Sequence, residues 1–228
     1  STFHPDFSKV SLTAQDYARI LIIALLFSFS AIFWMAFEQA GSSLNLFADT
    51  FVKNEIFGFS FPSSWLQAVN PIFIILLAPL FSWVWMKLAA RQPGSAVKFS
   101  LGLLFAALGF YLLAYASRFV GEGKVSFFWL LGVYFLHTCG ELCVSPVGLS
   151  MVTRLAPKQL VAFFLGVWFV SIALGNYLGG VVASHFSVDS GNLVNLFNTV
   201  GYICLSASIV LLLLYPVFKR LERKGSRA

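Results

Sequence analysis

Six long apolar runs dominate this sequence, and the segments between them hold most of its charged residues. A helix needs about 20 apolar residues to cross the hydrocarbon core of a bilayer. We therefore predict membrane spans over residues 17–47, 63–87, 96–117, 125–153, 159–185 and 193–218. A lead-in over 1–16, with Ser11 or Thr13 as helix N-cap, precedes them, and a basic tail over 219–228 follows. The predicted fold is an all-α, polytopic membrane protein.

Composition supports a membrane protein and argues against a soluble one. Only 11% of the residues are charged and 59% are hydrophobic, whereas soluble chains carry roughly a quarter charged residues. The formal charge of +6 resides in short loops and the tail, so we predict no nucleic-acid partner. The three cysteines lie within apolar runs and indicate no disulfide framework.

The basic residues are distributed unequally between the two sides of the membrane. An even number of spans places both termini on one side, and that side holds 12 Lys and Arg residues, whereas the other holds three. The three are Lys53, Arg118 and Lys124. By the positive-inside rule, both termini are predicted to be cytoplasmic in a multi-pass protein of the cytoplasmic, or inner, membrane. The first twenty residues lack the apolar core of a cleavable signal.

Polar and helix-breaking residues concentrate in four of the six spans. The third and sixth spans are bland, which is typical of peripheral helices that face lipid, whereas the other four carry acids, amides or prolines. Every third span is thus the one with few polar or helix-breaking residues. This rhythm is typical of transporters built from three-helix repeats.

Glu141 lies near the middle of the fourth span. A carboxylate there costs at least about 2.5–3.5 kcal/mol unless it is protonated, paired or hydrated. A functional role is therefore favoured over a buried, hydrogen-bonded structural acid. Pro146 cannot donate to the Leu142 carbonyl, so the helix is predicted to bend or open beside the acid.

His137 shares a helix face with Glu141, whereas Cys139 and Cys143 share another. The two faces diverge by about 160°, so one metal ion could not collect all four side chains, and we predict no metal site. Two interpretations of His137 remain open. It is either a buried imidazole with one partner or part of a proton relay with Glu141.

Glu38 is the second acid within an apolar run, and no basic residue of this chain is an obvious partner for it. It therefore either titrates or pairs with a cation from another set of helices. Asn70 precedes Pro71, whose ring frees the Gln67 carbonyl, so this region either lines a cavity or makes interhelical hydrogen bonds. Trp168 and Phe169 are packing aromatics by default.

Four segments carry a resemblance to a known family: FWMAFEQAGSSL, NPIFIILLAPLF, GELCVSPVGLSMVTRLAP and GVWFVSIALGNYLGG. In their order and spacing they resemble the proton-dependent oligopeptide transporters of the major facilitator superfamily. The chain is similar to the C-terminal half of such a protein, helices seven to twelve, and residues 1–16 are similar to the end of the connection between halves. The family's N-terminal half lies outside this sequence, so we expect the chain to be part of a longer protein.

The resemblance also implies roles for individual residues. Glu38 would pair with a basic residue of the other half and take part in proton coupling, and Glu141 would receive the amino terminus of a peptide. The remaining site residues implied or favoured are Asn70, Ser145, Trp34, Trp168 and Phe169 for substrate, and Phe37 and His137 for coupling and gating.

The predicted function is proton-coupled symport of di- and tripeptides by alternating access, with this chain supplying one half of the cavity. Expected partners are small peptides, protons, the lipid bilayer and the N-terminal six-helix half, with no cofactor. The alternatives are a carrier of nitrate or another small metabolite on the same scaffold, and a proton or cation channel. An enzyme is not expected because HExxH, a nucleophile elbow and similar motifs are lacking.

Overall fold

The computed structural model describes residues 12–187 and 189–225. Residues 1–11 of the predicted lead-in and 226–228 of the predicted tail lie outside the described residues. The helices are α1 (Ala14–Phe37), α2 (Ser43–Phe51), α3 (Val69–Leu88), α4 (Ser95–Ala116), α5 (Phe128–Leu155), α6 (Val161–Ala183), α7 (Ser190–Leu213) and α8 (Tyr215–Gly225). Two-residue strands β1 (Val52–Lys53), β2 (Glu55–Ile56), β3 (Phe59–Ser60) and β4 (Val125–Ser126) lie in the loops.

Six helical segments in the described ranges are long and apolar enough to cross a membrane, which confirms the all-α prediction. Short 3₁₀ turns extend several of them. The spans are Ala14–Phe51, Ser63–Leu88, Ser95–Glu122, Phe128–Leu155, Lys158–Ala183 and Gly191–Leu213. The chain is a multi-pass membrane protein.

The first span is two α-helices joined at Glu38. Thr13 caps its start, because its backbone N–H donates to Asp16 Oδ2 (2.9 Å) while Asp16 N–H donates to Thr13 Oγ1 (3.3 Å). The α-helical pattern ends at Phe37, continues as a 3₁₀ turn over Glu38–Gly41 and resumes in α2. Beyond α2, β1 pairs in parallel with β4, which precedes α5. The end of the first span and the start of the fourth span are thereby joined.

Helix α4 packs against both α5 and α7, so the third span is more buried within this chain than its bland sequence indicates. More than half of its most apolar stretch is buried. A side chain at Gly102 would overlap Val144 of α5, and one at Gly109 would lie 2.6 Å from His137 Nε2. Two small residues therefore let α5 approach α4 closely. On its other side, α4 contacts α7 through Ser100 Oγ, which lies 2.8 Å from Ser208 Oγ.

Helix α3 has the opposite character, since none of its side chains is buried within the described chain. It packs mainly on α5 and presents Ile75, Leu76 and Leu80 outward. In a membrane protein such a surface faces lipid or further transmembrane helices.

The sixth span ends five residues before the predicted boundary at 218. Pro216 cannot donate to the Leu212 carbonyl, so α7 ends at Leu213 and the chain re-enters a helix as α8. Phe218 of α8 is buried, while Lys219 and Arg220 are exposed. The basic tail therefore begins within an amphipathic helix.

Candidate functional site

The Glu141 carboxylate lies midway along α5 and faces α3. Asn70 Nδ2 donates to Glu141 Oε2 and to Thr138 Oγ1, both at 3.0 Å, and Thr138 Oγ1 donates to the Tyr134 carbonyl at 2.7 Å. Asn70 and Glu141 are half-buried. The structure thus brings together two residues that the sequence singled out, and adds Thr138.

Thr138 was missed by sequence reasoning. Its signal was its position one turn before Glu141, which places both residues on one face of α5. A threonine in an apolar helix commonly bonds back to the preceding turn, as Thr138 does here, so the position alone did not indicate a site.

Ser145 lies one turn beyond Glu141, and its buried Oγ has no hydrogen-bond partner in the described part of the chain. Helix α5 runs unbroken from Phe128 to Leu155 through Pro146, so of the two predicted outcomes, a bend or an opening, the structure excludes the opening. The proline still deprives the Leu142 carbonyl of its helical donor.

Glu38 sits at the break in the first span, and its partner is an amide of α6. With its amide oriented to satisfy both neighbours, Asn176 donates to Glu38 Oε1 (3.3 Å) and to the Ile172 carbonyl (2.9 Å). The adjacent Gln39 is fully buried and donates from Nε2 to the Gly179 carbonyl (2.9 Å). These bonds fix the break against α6. Sequence analysis did not place Asn176 in the site.

Neither acid has a basic partner. Within residues 12–187 and 189–225, no lysine, arginine or histidine forms an ion pair with Glu38 or Glu141. The site therefore holds two acids, each held by an amide, and the described residues supply no countercharge.

An aromatic cluster stands beside Glu38. The Trp34 and Phe37 rings meet edge to face with centroids 5.3 Å apart, and Phe33 stacks on Phe37 at 5.7 Å. A side chain at Gly175 of α6 would lie 2.6 Å from Trp34 Cβ, so α1 and α6 meet closely here. Trp34 Nε1 is buried and has no acceptor among the described residues.

Trp168 and Phe169 are placed in different environments. Trp168 is 2% exposed, meets Phe27 edge to face at 5.5 Å and fills the space above Gly148, where a side chain would overlap its ring. Phe169 is 63% exposed. Consecutive helical residues point about 100° apart, so the structure does not bring this pair onto one wall.

His137 faces α4 rather than Glu141. Its ring lies 5.0 Å from that of Phe110 and is almost fully buried. It approaches the Ala106 backbone, but without the geometry of a hydrogen bond. Among the described residues neither ring nitrogen of His137 has a hydrogen-bond partner, so the structure shows neither the single partner of a buried imidazole nor a relay with Glu141.

Comparison with known proteins assigns the chain to a family. The sequence profile described as the POT family matches residues 6–201. This chain belongs to the POT family. The resemblance seen in the sequence is confirmed, and the family places the chain among transporters rather than enzymes.

Relatives in this family are similar over nearly the whole chain. Peptide transporter YePEPT of Yersinia enterocolitica is 39% identical over 92% of this chain and 43% of its own length. Dipeptide and tripeptide permease A of Yersinia pestis is 31% identical over 94% of this chain and 45% of its own length. The chain thus spans less than half the length of these curated POT relatives.

Solved POT structures share the fold. A mutant of peptide transporter POT in complex with alafosfalin superposes with a TM-score of 0.87 at 37% identity, over 93% of this chain and 44% of the other. A POT family transporter in complex with 5-aminolevulinic acid gives a TM-score of 0.83 at 29% identity, over 91% and 43%. The six helices of this POT chain therefore correspond to about half of each of these solved structures.

Proposed function

We propose that this POT chain supplies the C-terminal six-helix half of a proton-coupled symporter for di- and tripeptides. The observation that carries the proposal is the Glu141 carboxylate, which is half-buried, is held by Asn70 and has no cation partner among the described residues. Relatives named as peptide transporters and dipeptide and tripeptide permeases support the substrate class.

Glu141 suits the protonated amino terminus of a peptide. A carboxylate offers about four acceptor positions, of which Asn70 occupies one on Oε2. An incoming ammonium supplies both the missing charge and up to three donors. Because every unmodified peptide carries this group, a site that grips it permits broad side-chain specificity.

Glu38 suits proton coupling. Its carboxylate is half-buried, and its partner Asn176 is neutral. Such an acid is stabilised either by a proton or by a cation brought from outside the chain. Exchange between those two states would link proton movement to a conformational change. Phe37 and Trp34 would close the space beside it, and His137 would contribute through packing against α4.

A second six-helix half completes the proposed transporter. Both α3 and the exposed side of α6, including Phe169, present apolar surface that the described chain does not cover. Burial of the two acids and completion of a cavity both require such a partner. Phe169 and Ser145 would border that cavity once it is assembled, whereas Trp168 is packed inside this chain. We place the protein in the cytoplasmic membrane with both termini inside, on the distribution of basic residues.

A second candidate is a carrier for another small metabolite that carries both an amine and a carboxylate. The POT relative solved with 5-aminolevulinic acid favours this class. Nitrate fits less well, because an anion entering the site would meet Glu38 and Glu141 without a cation from the described residues. A channel would not need paired, amide-held acids on separate helices.

The test is uptake by the full-length protein in liposomes under an imposed proton gradient. Labelled dipeptide should accumulate against its own gradient, and unlabelled di- and tripeptides should compete. Competition by 5-aminolevulinic acid but not by peptides would support the second candidate. Accumulation that ignores the proton gradient would contradict coupling.

A further inference from the structure

A cavity of about 870 Å³ lies at the ends of α3, α4 and α5 that the basic residues mark as cytoplasmic. Its walls come from the start of α1, the second half of α3, the start of α4 and the end of α5. Neither Glu141 nor Asn70 lines it. It is therefore separate from the pair of acids described above.

Three cations from three different helices line this cavity: Arg19 of α1, Lys98 of α4 and Arg154 of α5. No carboxylate from the described part of the chain lines it. Lys98 Nζ is held by Gln92 Oε1 at 3.0 Å and over the Trp85 ring at 4.5 Å, and Lys98 and Arg154 repel each other. Arg19 is 3.8 Å from Asp16 Oδ1, a long ion pair outside the cavity.

Neutral donors complete the lining. Ser82 of α3 and Ser150 of α5 offer hydroxyls to the cavity. Helix α4 begins there at Ser95 after Gly94, with no side chain capping its first N–H groups. Its partial positive charge adds to that of the three cations. This combination fits an anion with several oxygens.

We propose that this cavity binds a phosphate group, either in the headgroup of an anionic phospholipid or in a soluble phosphate compound. The position supports the choice, because Trp83 and Trp85 lie at this end of α3, where tryptophans mark the membrane interface. Basic pockets between helices at the cytoplasmic surface are typical sites for anionic headgroups. The proposal does not depend on the transported substrate.

The test measures binding to the delipidated full-length protein in detergent, by native mass spectrometry and thermal shift. The probes are phosphatidylglycerol, phosphatidylcholine and inorganic phosphate, the last against chloride at equal ionic strength. The double variant Lys98→Gln with Arg154→Gln removes two cations from the cavity. The matched control, Arg91→Gln with Lys158→Gln, removes two exposed cations from the same side outside the cavity.

The parent and the control should bind phosphatidylglycerol more tightly than phosphatidylcholine. Each basic residue near such a headgroup contributes about fivefold, or about 1 kcal/mol. The double variant should therefore bind about 30-fold more weakly. Stabilisation of the parent by inorganic phosphate without a lipid preference, again lost in the double variant, would assign the site to a soluble phosphate compound.

Equal weakening in the double variant and the control would overturn the proposal, as would a parent that responds to neither lipid nor phosphate. If the double variant fails to fold, Arg154→Gln alone should still weaken binding about fivefold. The parent gives a mutation-free check, because its binding should weaken as salt rises. Binding that is insensitive to salt would contradict a charge-based site.

Discussion

Amides, rather than cations, hold the two acids of this POT chain. Asn70 holds Glu141 and Asn176 holds Glu38. An amide donor orients a carboxylate but does not neutralise it, so the charge is balanced by a proton, a ligand or a cation from outside the described residues. A fixed arginine would stabilise each acid more strongly and would compete with an incoming ammonium or proton. This arrangement suits sites that must empty and refill.

Replacing Glu141 by Gln should weaken binding of peptides with a free amino terminus. A charge-assisted hydrogen bond becomes a neutral one, which costs about 1.5–3 kcal/mol, or roughly ten- to a hundredfold in affinity. The measurement is the affinity of one dipeptide and its N-acetylated form for the full-length protein and the variant. Glu122→Gln, at an exposed loop acid, is the control. Equal losses for both peptides would show that Glu141 does not bind the amine.

Replacing Thr138 by Val keeps the shape of the side chain and removes the oxygen that accepts from Asn70. Asn70 then loses one of its two contacts and holds the Glu141 carboxylate less firmly. We expect a loss of about 0.5–1.5 kcal/mol, roughly two- to tenfold in peptide affinity. The effect should nearly vanish in a Glu141→Gln background, which a double-mutant cycle measures. Full additivity would separate Thr138 from the site.

Replacing Glu38 by Gln should abolish proton-driven accumulation while peptide counterflow survives. The amide keeps the shape and the contact to Asn176 but cannot take up or release a proton. Accumulation under a pH gradient and counterflow without one are measured in the same liposomes. Glu55→Gln, at an extramembrane acid paired with Lys53, serves as control. Unchanged accumulation would remove Glu38 from the coupling step.

At the scale of elements, the spans were predictable and their packing was not. Six apolar runs are enough to predict six helices, because a bilayer imposes their length. The central position of α4 follows from Gly102 and Gly109 meeting α5, which depends on which helix lies opposite. The bond between Asn70 and Glu141 likewise requires the relative register of α3 and α5. Trp168 is buried because Gly148 lies beneath it, a contact between spans that local sequence does not reveal.

Replacing Gly102 by Ala tests the close contact of α4 with α5. The added methyl group would overlap Val144 and stand 3.0 Å from the Gly140 carbonyl oxygen. Overpacking of this kind costs about 1–3 kcal/mol, so the melting temperature in detergent should fall. Gly121→Ala, where a methyl group meets nothing within 4 Å, should leave it unchanged. Equal melting temperatures would show that the two helices can separate without loss.

At the scale of the whole molecule, orientation is testable by labelling. Single cysteines at Lys53 and Lys124 should react with an impermeant thiol reagent added outside, and ones at Arg91 and Lys158 should not. All four positions are exposed. The native Cys139, Cys143 and Cys204 are buried, which keeps the background low. The opposite labelling pattern would reverse the proposed topology.

The break at Glu38 divides the longest span into two helices, α1 and α2, that are held by different neighbours. Helix α1 is joined to α6 next to the break by the hydrogen bonds of Gln39 and Asn176. Helix α2 is joined to the start of α5 by the pairing of β1 with β4. We expect a tilt of α2 to move the start of α5 with it, because β1 and β4 join the two. Glu38 lies at the junction of the two helices, so a movement there would also move one of the two carboxylates.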